Sequence, residues 1–338
     1  GRPEVRQYIR DQIFMYADEY HVDGFRWDSV YHIIRFSEQN AASNPEAIQM
    51  LHDINQELAQ TRPHLIRIVE DHAFDHDLAF NGQWDIGYRW ALFHLVADAW
   101  DADRNMSTVA GVLSDWPSFQ RVAFTEAHDY VAAMNYGRSR VPASIHPEEP
   151  ASLWARKRAL LGAAIVFTTP GTPMIFQGQE MNETRGFHDD IPLRWELTNT
   201  FAGIVRAYTD LIHLRRNLRG TTPGLQGTGV FVQHLDNDNK VVACTRWNRG
   251  GARDDVVVVA NFSCNDYDQN DYAIRFPSPG TWYRQFNSDS RHYSPDFGGV
   301  GAPQVLAAGD PPAAPVSMGK YSLQIFSRNP PPASAPDP

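Results

Sequence analysis

The sequence predicts an α/β fold with a parallel sheet, followed by a separate antiparallel all-β domain. Up to about residue 217, apolar strand segments alternate with amphipathic helical segments, which is typical of a parallel α/β architecture. After Gly220 the pattern changes to short apolar strands separated by Gly, Asn, Asp and Pro. A chain of 338 residues with 42% hydrophobic residues is long enough to bury a large core and to form two domains.

The first elements follow the order helix, strand, helix, strand. Residues 3–20 carry apolar side chains at helical spacing and lead into the strand "VDGFRWD". A second helix begins at Pro45, for which Asn44 is the predicted N-cap, and it ends at "TRP". The segment "LIRIVED", residues 65–71, then predicts a buried strand.

The alternation continues with a weaker strand near "FNGQWDI", a helix around residues 88–100, the strand "RVAFTEAHD", the helix "LWARKRALLGAAIVF", the strand "PMIFQGQE" and the helix "GIVRAYTDLIHLRRN". The predicted strands before Gly220 lie near residues 22, 65, 80, 121 and 173. A closed (β/α)8 barrel requires eight strands. If this part is a barrel, its first three βα units are therefore expected to be missing from the chain.

The second half predicts antiparallel strands at "VFVQHLD", "KVVACTRW", "DVVVVANFS", "YAIRF", "TWYRQFN" and "YSLQIFS". The last ten residues, "NPPPASAPDP", are too rich in proline to build a core. We therefore expect a partial barrel over residues 1–220, an all-β domain over 221–328 and a Pro-rich tail over 329–338.

Composition excludes several classes of protein. With 30 basic and 40 acidic residues the net charge is −10 and no basic stripe occurs, so neither nucleic acid nor an anionic membrane is an expected partner. No apolar run is long enough to span a bilayer, and the N-terminal "GRPEVRQ" is neither a signal peptide nor a methionine start. The chain is therefore expected to begin at a cut and to be soluble, with cytoplasmic and secreted locations both open. Two cysteines, Cys244 and Cys264, exclude a disulfide framework. A single bridge between them stays open, but two buried free thiols are the favoured expectation.

Carboxylates follow the ends of three predicted strands. Asp28 ends the first strand on the same face as Arg26, Glu70 follows "LIRIV", and "RVAFTEAHD" ends in His128 and Asp129. About one βα step of roughly 30 residues separates Asp28 from Glu70, and about two such steps separate Glu70 from Asp129. Because reactive residues of such barrels lie at the C-terminal ends of the strands, the three carboxylates are expected at one rim.

Paired carboxylates suit acetal chemistry, in which one attacks the anomeric carbon and the other protonates the leaving oxygen. Arg26 is expected to keep Asp28 ionised as the nucleophile. Glu70 follows an apolar strand, so a raised pKa and the acid role are expected for it. Asp129 would bind sugar hydroxyls and favour positive charge in the transition state, and His128 would donate a hydrogen bond beside it.

The segments "GFRWDSV", "IVED" and "TEAHD" resemble, in order and spacing, the second, third and fourth signature regions of the α-amylase family, glycoside hydrolase family 13. "PGTPMIFQGQE" is similar to the family's last barrel strand. The chain looks most like the glucan-branching and related bacterial α-glucan-active members. The resemblance implies an α/β fold consisting of the C-terminal portion, strands 4–8, of a (β/α)8 TIM barrel followed by an antiparallel all-β domain.

The resemblance also implies a retaining glycoside hydrolase or transglycosylase acting on α-1,4-linked glucans. Asp28, Glu70 and Asp129 would be the nucleophile, the acid/base and the transition-state stabiliser, with Arg26 and His128 binding substrate. The two working carboxyls of a retaining enzyme lie about 5–5.5 Å apart. Two departures concern the branching type: Ala127 stands where Asn or Ser is usual, and Tyr130 where branching enzymes usually carry Glu. The family's first region, which adds a histidine and an asparagine to the sugar site, is absent.

Several alternatives stay open at this point. One is a carbohydrate-binding or structural protein that has lost catalysis. Another is a metal-dependent hydrolase using His72 and His76, although solvated loop residues are the commoner explanation of that pattern. The family resemblance requires no cofactor, and calcium is undecided because its ligands are not identifiable in this chain. Expected partners are an α-glucan or oligosaccharide substrate and an N-terminal chain or fragment that completes the barrel. Hydrolysis and branching share one glycosyl-enzyme intermediate, so the sequence does not separate them.

Overall fold

A computed structural model describes residues 2–36, 42–71, 78–132, 140–268 and 272–332. The chain divides into two compact units. The first unit consists of Gly1–Gly87 and Phe119–Val122, and the second consists of Tyr88–Ser118 and Ala123–Pro338.

The first unit contains a parallel sheet with helices. Its helices are α1 (Pro3–Asp18), α2 (Val30–Ile33) and α3 (Pro45–Thr61). Its strands are β1 (Gly24–Trp27), β2 (Ile66–Asp71), β3 (Gly82–Asp85) and the first two residues of β4 (Arg121–Ala123). These strands pair side by side in that order and all run parallel. The strands predicted near residues 22, 65, 80 and 121 are therefore confirmed.

The helices of this unit begin and pack as their sequences predict. Asn44 caps α3, because its side-chain oxygen accepts a hydrogen bond from Ala47 N at 3.2 Å. Phe25 and Trp27 pack with Leu58 of α3 and apolar residues of α1. They therefore point away from Arg26 and Asp28, as the alternation of side chains along β1 predicts.

Gly24 allows the close approach of β1 to β2. A Cβ atom at this position would lie 2.4 Å from the backbone oxygen of Ile66, the residue with which Gly24 pairs. Only a residue without a side chain fits this contact, so Gly24 fixes the spacing of the strands that carry Asp28 and Glu70.

The second unit contains the remaining helices and a short strand. Its helices are α4 (Ile86–Ala97), which begins at the end of the first unit, α5 (Met106–Ser114), α6 (His128–Val131), α7 (Val141–Ile145), α8 (Leu153–Thr168), α9 (Leu197–Thr200) and α10 (Ala202–Arg215). Strand β5 (Thr172–Pro173) lies beside the end of β4, because Met174 N donates a hydrogen bond to Ala123 O at 2.9 Å.

Two local predictions are wrong for this region, and one helix was not predicted. β4 ends at Ala123, so the rest of "RVAFTEAHD" is not a strand, and His128 and Asp129 open the short helix α6. β5 ends at Pro173 instead of continuing through "PMIFQGQE". Farther along this segment, Gly178 takes a positive φ of 87°. Helix α5 has no counterpart among the predicted elements.

The C-terminal strands form antiparallel sheets. They are β6 (Gly229–Asp236), β7 (Val241–Trp247), β8 (Val256–Asn261), β9 (Ala273–Arg275), β10 (Gly280–Asn287), β11 (Gln304–Ala307), β12 (Ala313–Pro315) and β13 (Ser322–Ser327). One sheet has the order β11-β10-β13-β8-β7-β6, and β12 pairs with β9 in a second sheet. The six predicted strands are present, and β11 and β12 are additional.

One apolar core joins the helices of the second unit to this sheet. The core includes Leu92 of α4, Leu161 of α8, Leu211 of α10, Val258 of β8 and Leu323 of β13. The alternate residues of the same strands, among them Val241 and Val259, belong to a second core with Ile274 of β9 and Trp282 of β10. Each face of the large sheet therefore packs against an apolar core.

Two buried arginines bind the C-terminal end of α8. Arg215 of α10 donates to Thr169 O at 2.9 Å, and Arg246 of β7 donates to Thr168 O. Burial lowers the pKa of Arg215 to about 10 and that of Arg246 to about 9. Cationic side chains at this helix end interact favourably with carbonyls that have no partner within the helix.

The two thiols differ in their surroundings. Cys244 is buried in β7, and burial raises its pKa to about 12, whereas Cys264 is exposed. Both are free cysteines. The expectation of two buried thiols is thus wrong for Cys264, which lies in the loop after β8 and outside the sheet.

Candidate active site

The first part of the site is the segment that follows β1. Arg26 Nη1 lies 2.5 Å from Asp28 Oδ1, and the side chain of Asp28 is 74% exposed. The chain turns at Ser29, whose φ is 48°, before α2 begins at Val30. The end of β1 therefore presents a carboxylate to solvent, and the arginine two residues earlier holds it.

The second part is the end of β2. Glu70 is nearly buried, with a side-chain exposure of 11%, and its Oε2 lies 2.6 Å from Nη2 of Arg26. Oε2 also accepts a hydrogen bond from Ser29 N at 2.9 Å. One guanidinium group therefore contacts both Asp28 and Glu70, and the structure brings these three predicted residues together.

Trp84 forms a platform under Arg26. The centre of the guanidinium lies 4.4 Å from the centroid of the Trp84 ring, a cation–π contact. Trp84 of β3 is the register partner of Glu70 of β2. This role of Trp84 depends on the pairing of β2 with β3, which the sequence alone does not indicate.

His128 and Asp129 lie in the second unit, in the first turn of α6. His128 Nε2 lies 3.3 Å from Asp129 Oδ2, and the two side chains are 44% and 43% exposed. The structure brings this predicted pair together within its own unit. Because α6 opens at His128, the helix and not a strand sets the direction of both side chains.

Glu126, two residues before His128, forms a buried ion pair. Its Oε2 lies 3.0 Å from Nη1 of Arg140, both side chains are 1% exposed, and Oε1 accepts from Val141 N at 2.7 Å. Burial raises the pKa of Glu126, and Arg140 opposes this effect. The burial of this ion pair favours a structural role for Glu126 over contact with a sugar.

The two departures from the family pattern, Ala127 and Tyr130, lie in different surroundings. The Ala127 side chain is buried. The ring of Tyr130 lies 4.1 Å from the guanidinium of Arg89, whose Nε donates to Thr125 O at 3.2 Å. Tyr130 is thus an aromatic partner of a buried arginine.

Among residues 2–36, 42–71, 78–132, 140–268 and 272–332, no cluster of three or more His, Cys, Asp or Glu side chains is arranged to hold a metal ion. His72 and His76, the residues of the metal-dependent alternative, lie outside the described residues. Within the described part of the chain, no helix has the length and apolar character that a membrane crossing requires.

Comparison with known families gives the identity of the chain. Residues 1–252 match the family described as "Alpha amylase, catalytic domain", and residues 231–328 match "Alpha amylase, C-terminal all-beta domain". The chain belongs to the α-amylase family. The predicted family and fold class are confirmed: the chain holds part of the family's barrel and its C-terminal all-β domain.

Curated relatives of this α-amylase family chain are 1,4-α-glucan branching enzymes. The enzyme of Thermosynechococcus vestitus is 26% identical over 323 residues, covering 87% of this chain and 40% of the relative. The enzymes of Rhodopseudomonas palustris (strain BisA53) and Bradyrhizobium sp. are 28% and 29% identical, covering 90% and 92% of this chain but 45% and 46% of the relatives. The chain thus spans less than half the length of these relatives.

Solved structures show the same fold at low identity. An Anoxybacillus α-amylase aligns with a TM-score of 0.67 at 15% identity, covering 96% of this chain and 63% of that chain. A Geobacillus thermoleovorans α-amylase complexed with acarbose gives 0.67 at 15% identity, with coverages of 96% and 64%. A pullulanase complexed with maltotetraose from Anoxybacillus sp. LM18-11 gives 0.65 at 17%, with coverages of 96% and 46%.

Proposed function

We propose that this chain is the part of a retaining α-glucan-active enzyme that carries its nucleophile and its acid/base. The observation that carries the proposal is the contact of one guanidinium, that of Arg26, with both Asp28 and Glu70 at the ends of neighbouring strands. Two carboxylates held together at such strand ends are what retaining glycoside chemistry requires. The family membership and the branching-enzyme relatives support α-1,4-linked glucan as the substrate class.

In the proposed reaction, Asp28 attacks the anomeric carbon and forms a glycosyl ester as the bond from that carbon to the leaving oxygen breaks. Glu70 gives its proton to the leaving oxygen, so the departing sugar leaves as an alcohol. The resulting Glu70 carboxylate then takes a proton from an incoming hydroxyl, whose oxygen displaces Asp28 from the anomeric carbon. Two displacements on one carbon restore its configuration.

The contrasting exposures of the two carboxylates suit these roles. Asp28, whose side chain is largely exposed, is accessible to a sugar ring, and Arg26 fixes the direction of its Oδ1. Glu70 is nearly buried and is held by Arg26 and Ser29 N, so its position is defined before substrate binds. A catalytic group that is already in place needs little reorganisation during the reaction.

We assign supporting roles to Asp129 and His128. Asp129 would bind sugar hydroxyls and stabilise the oxocarbenium-like transition state, and His128, 3.3 Å from it, would fix its direction and donate a hydrogen bond to the substrate. We also propose residues 1–220 as the partial catalytic barrel, 221–328 as the all-β domain and 329–338 as a tail.

The incoming hydroxyl that displaces Asp28 decides the product. Water as the incoming hydroxyl gives hydrolysis, whereas a glucan hydroxyl gives transfer or branching, and both start from the same ester on Asp28. The branching-enzyme relatives support transfer, while Tyr130 departs from the usual branching residue. A rise in reducing ends measures hydrolysis, and a fall in iodine staining of amylose without new reducing ends measures branching.

The proposal is tested with Asp28→Asn and Glu70→Gln in the natural gene product, assayed on amylose. Each variant is expected to lose activity by at least about a thousandfold, because catalysis needs both carboxylates. Asp53→Asn, an exposed aspartate of α3 in the same unit, is the matched control and should keep wild-type activity. Unchanged activity of Asp28→Asn contradicts the assignment. Glucan binding without turnover by the wild type would instead favour a carbohydrate-binding protein that has lost catalysis.

A further inference from the structure

An open groove lies on the large antiparallel sheet of the second unit. It has a volume of about 470 Å³, within the range of about 300–1,000 Å³ typical of ligand pockets. Its lining includes Phe231 of β6, Thr245 and Trp247 of β7, Arg275 of β9 and Asp255 just before β8. None of these residues takes part in the site proposed above.

Strand pairing explains why these side chains share one surface. Phe231 pairs with Thr245, and Gly229 pairs with Trp247, so the residues that project on this face come together at one end of the sheet. Farther along the same face, Val241 and Ala243 are covered by residues of β9 and β12. The groove is the stretch of this face where that cover ends.

The groove has one exposed aromatic ring and one that is packed against the neighbouring strand. Phe231 is 63% exposed on β6, the edge strand of the sheet. Trp247 lies across Gly229, where a Cβ atom would be 2.3 Å from the indole ring, so the ring rests directly on the backbone of the neighbouring strand. Phe276 closes the inner wall and is buried. A fixed aromatic ring loses little conformational freedom when a ligand covers it.

The polar groups of the groove carry opposite charges. Asp255 contributes a carboxylate, whose Oδ1 accepts from Gly251 N at 3.0 Å, and the exposed Arg275 contributes a guanidinium. Together they are neutral, which favours an uncharged ligand over an anion or a cation. A ligand with many hydroxyl groups can donate to the carboxylate and accept from the guanidinium in charge-assisted hydrogen bonds. Its C–H faces can pack on the aromatic rings.

We propose that this groove binds a segment of α-glucan chain as a second, non-catalytic site. A glucan is uncharged, presents apolar faces and edges of hydroxyl groups, and therefore matches the aromatic walls and the charged pair together. The choice of α-glucan among neutral saccharides rests on the proposed function. The site would hold a long polymer on the enzyme between reactions, and it would contribute nothing to turnover of short oligosaccharides.

The test measures binding separately from catalysis. Phe231→Ala and Arg275→Gln are compared with wild type by electrophoretic retardation in gels containing glycogen. Leu235→Ala is the matched control, because Leu235 is another exposed apolar residue of β6, 46% exposed, and lies outside the groove. Phe231→Ala is expected to weaken the apparent affinity for glycogen about tenfold, Arg275→Gln severalfold, and Leu235→Ala not at all. Turnover of maltoheptaose by the natural gene product should be equal in all four proteins.

Other outcomes overturn the proposal. The groove is excluded as the binding site if glycogen retards Phe231→Ala and Arg275→Gln as strongly as wild type. It is also excluded if Leu235→Ala loses as much retardation as these two variants. Absence of retardation in the wild type excludes glucan binding altogether. Equal retardation by a soluble β-glucan in place of glycogen contradicts the assigned linkage class. If the protein turns over no glucan but Phe231→Ala still weakens retardation, the proposed function fails and this site stands.

Discussion

Arg26 Nη2 lies 2.6 Å from Oε2 of Glu70, which joins the side chains of two neighbouring parallel strands at their C-terminal ends. The same guanidinium contacts Asp28 and stacks on Trp84. Arg26 thus has three partners that a planar, delocalised cation can contact at once.

Replacement of Arg26 by lysine should reduce kcat on amylose about a hundredfold in the natural gene product. Lysine keeps the positive charge, but its compact ammonium group cannot contact both carboxylates and cover the indole ring as well. Arg62→Lys is a matched control, because Arg62 also pairs with an aspartate, Asp18, at 2.6 Å and lies over an aromatic ring, that of Phe14. Equal kcat values for the two variants would show that Arg26 has no special role.

Gly24→Ala should lower the free energy of unfolding by about 1–3 kcal/mol, the usual cost of overpacking. The added methyl group meets the backbone oxygen of Ile66, which cannot rotate away as a flexible side chain would. Gly87→Ala, in α4, is the comparison, because its Cβ would have no contact closer than 3.4 Å and alanine favours the helix. Urea unfolding curves measure both variants, and a wild-type midpoint for Gly24→Ala would contradict the tight strand contact.

The carboxyl group of Glu183 should make stability depend on pH in the acid range. Burial alone would raise its pKa, but hydrogen bonds from the Arg194 side chain and from the backbone N–H groups of Arg185 and Arg194 outweigh burial and hold the pKa at about 2. The ordinary pKa of a glutamate side chain, which applies to the unfolded chain, is 4.5. Because the folded state favours the ionised form, the stabilisation is fully present above pH 4.5 and is lost as the pH falls toward 2.

This dependence is measured with Glu183→Gln. The free energies of unfolding of wild type and variant should differ by on the order of 3 kcal/mol at pH 7, and the difference should narrow steadily below pH 4.5. Glu148→Gln, at an exposed position, should track the wild type throughout. A difference between wild type and Glu183→Gln that stays constant with pH would mean that the carboxylate charge is not its origin.

The two cysteines should react with a thiol reagent at very different rates. Cys264 is exposed and should be modified in the folded protein, although a hydrogen bond involving Asp101 raises its pKa and reduces its thiolate fraction. Labelling should therefore accelerate as the pH rises. Cys244 should react only after unfolding, because it is buried and its pKa is about 12. Absorbance with Ellman's reagent follows the reaction, and modification of folded Cys264→Ser would place the accessible thiol at Cys244 instead.

The regular elements were predictable where periodicity was long and uninterrupted. Helix α3 shows an apolar stripe, a capping Asn44 and a first-turn Pro45, and it begins at the predicted residue. The short elements were not predictable, because their lengths depend on pairing. In β4, Arg121 and Val122 pair with Gln83 and Trp84 of β3. Because β3 is followed by a helix from Ile86, the pairing of β4 with β3 ends early, although apolar residues continue in the sequence after Val122.

The candidate site was predictable in its residue types but not in its contacts. Alternation along β1 placed Arg26 and Asp28 on one face, and their ion pair agrees with this. The contact of Arg26 with Glu70 requires the register between β1 and β2, and its stacking on Trp84 requires that of β3, neither of which a single sequence specifies. The Glu126–Arg140 pair joins residues 14 positions apart in the sequence, so no local pattern indicates it.

The shared core of the second unit has a consequence for how the protein can be shortened. Val258 and Leu323 of the antiparallel sheet pack in the same cluster as Leu161 of α8 and Leu211 of α10, and Arg246 of β7 binds the last carbonyls of α8. A truncation after Gly220 would strip these helices of their apolar cover and leave Thr168 O without this donor. Helices and sheet should therefore melt in a single transition, and an engineered catalytic fragment should retain both.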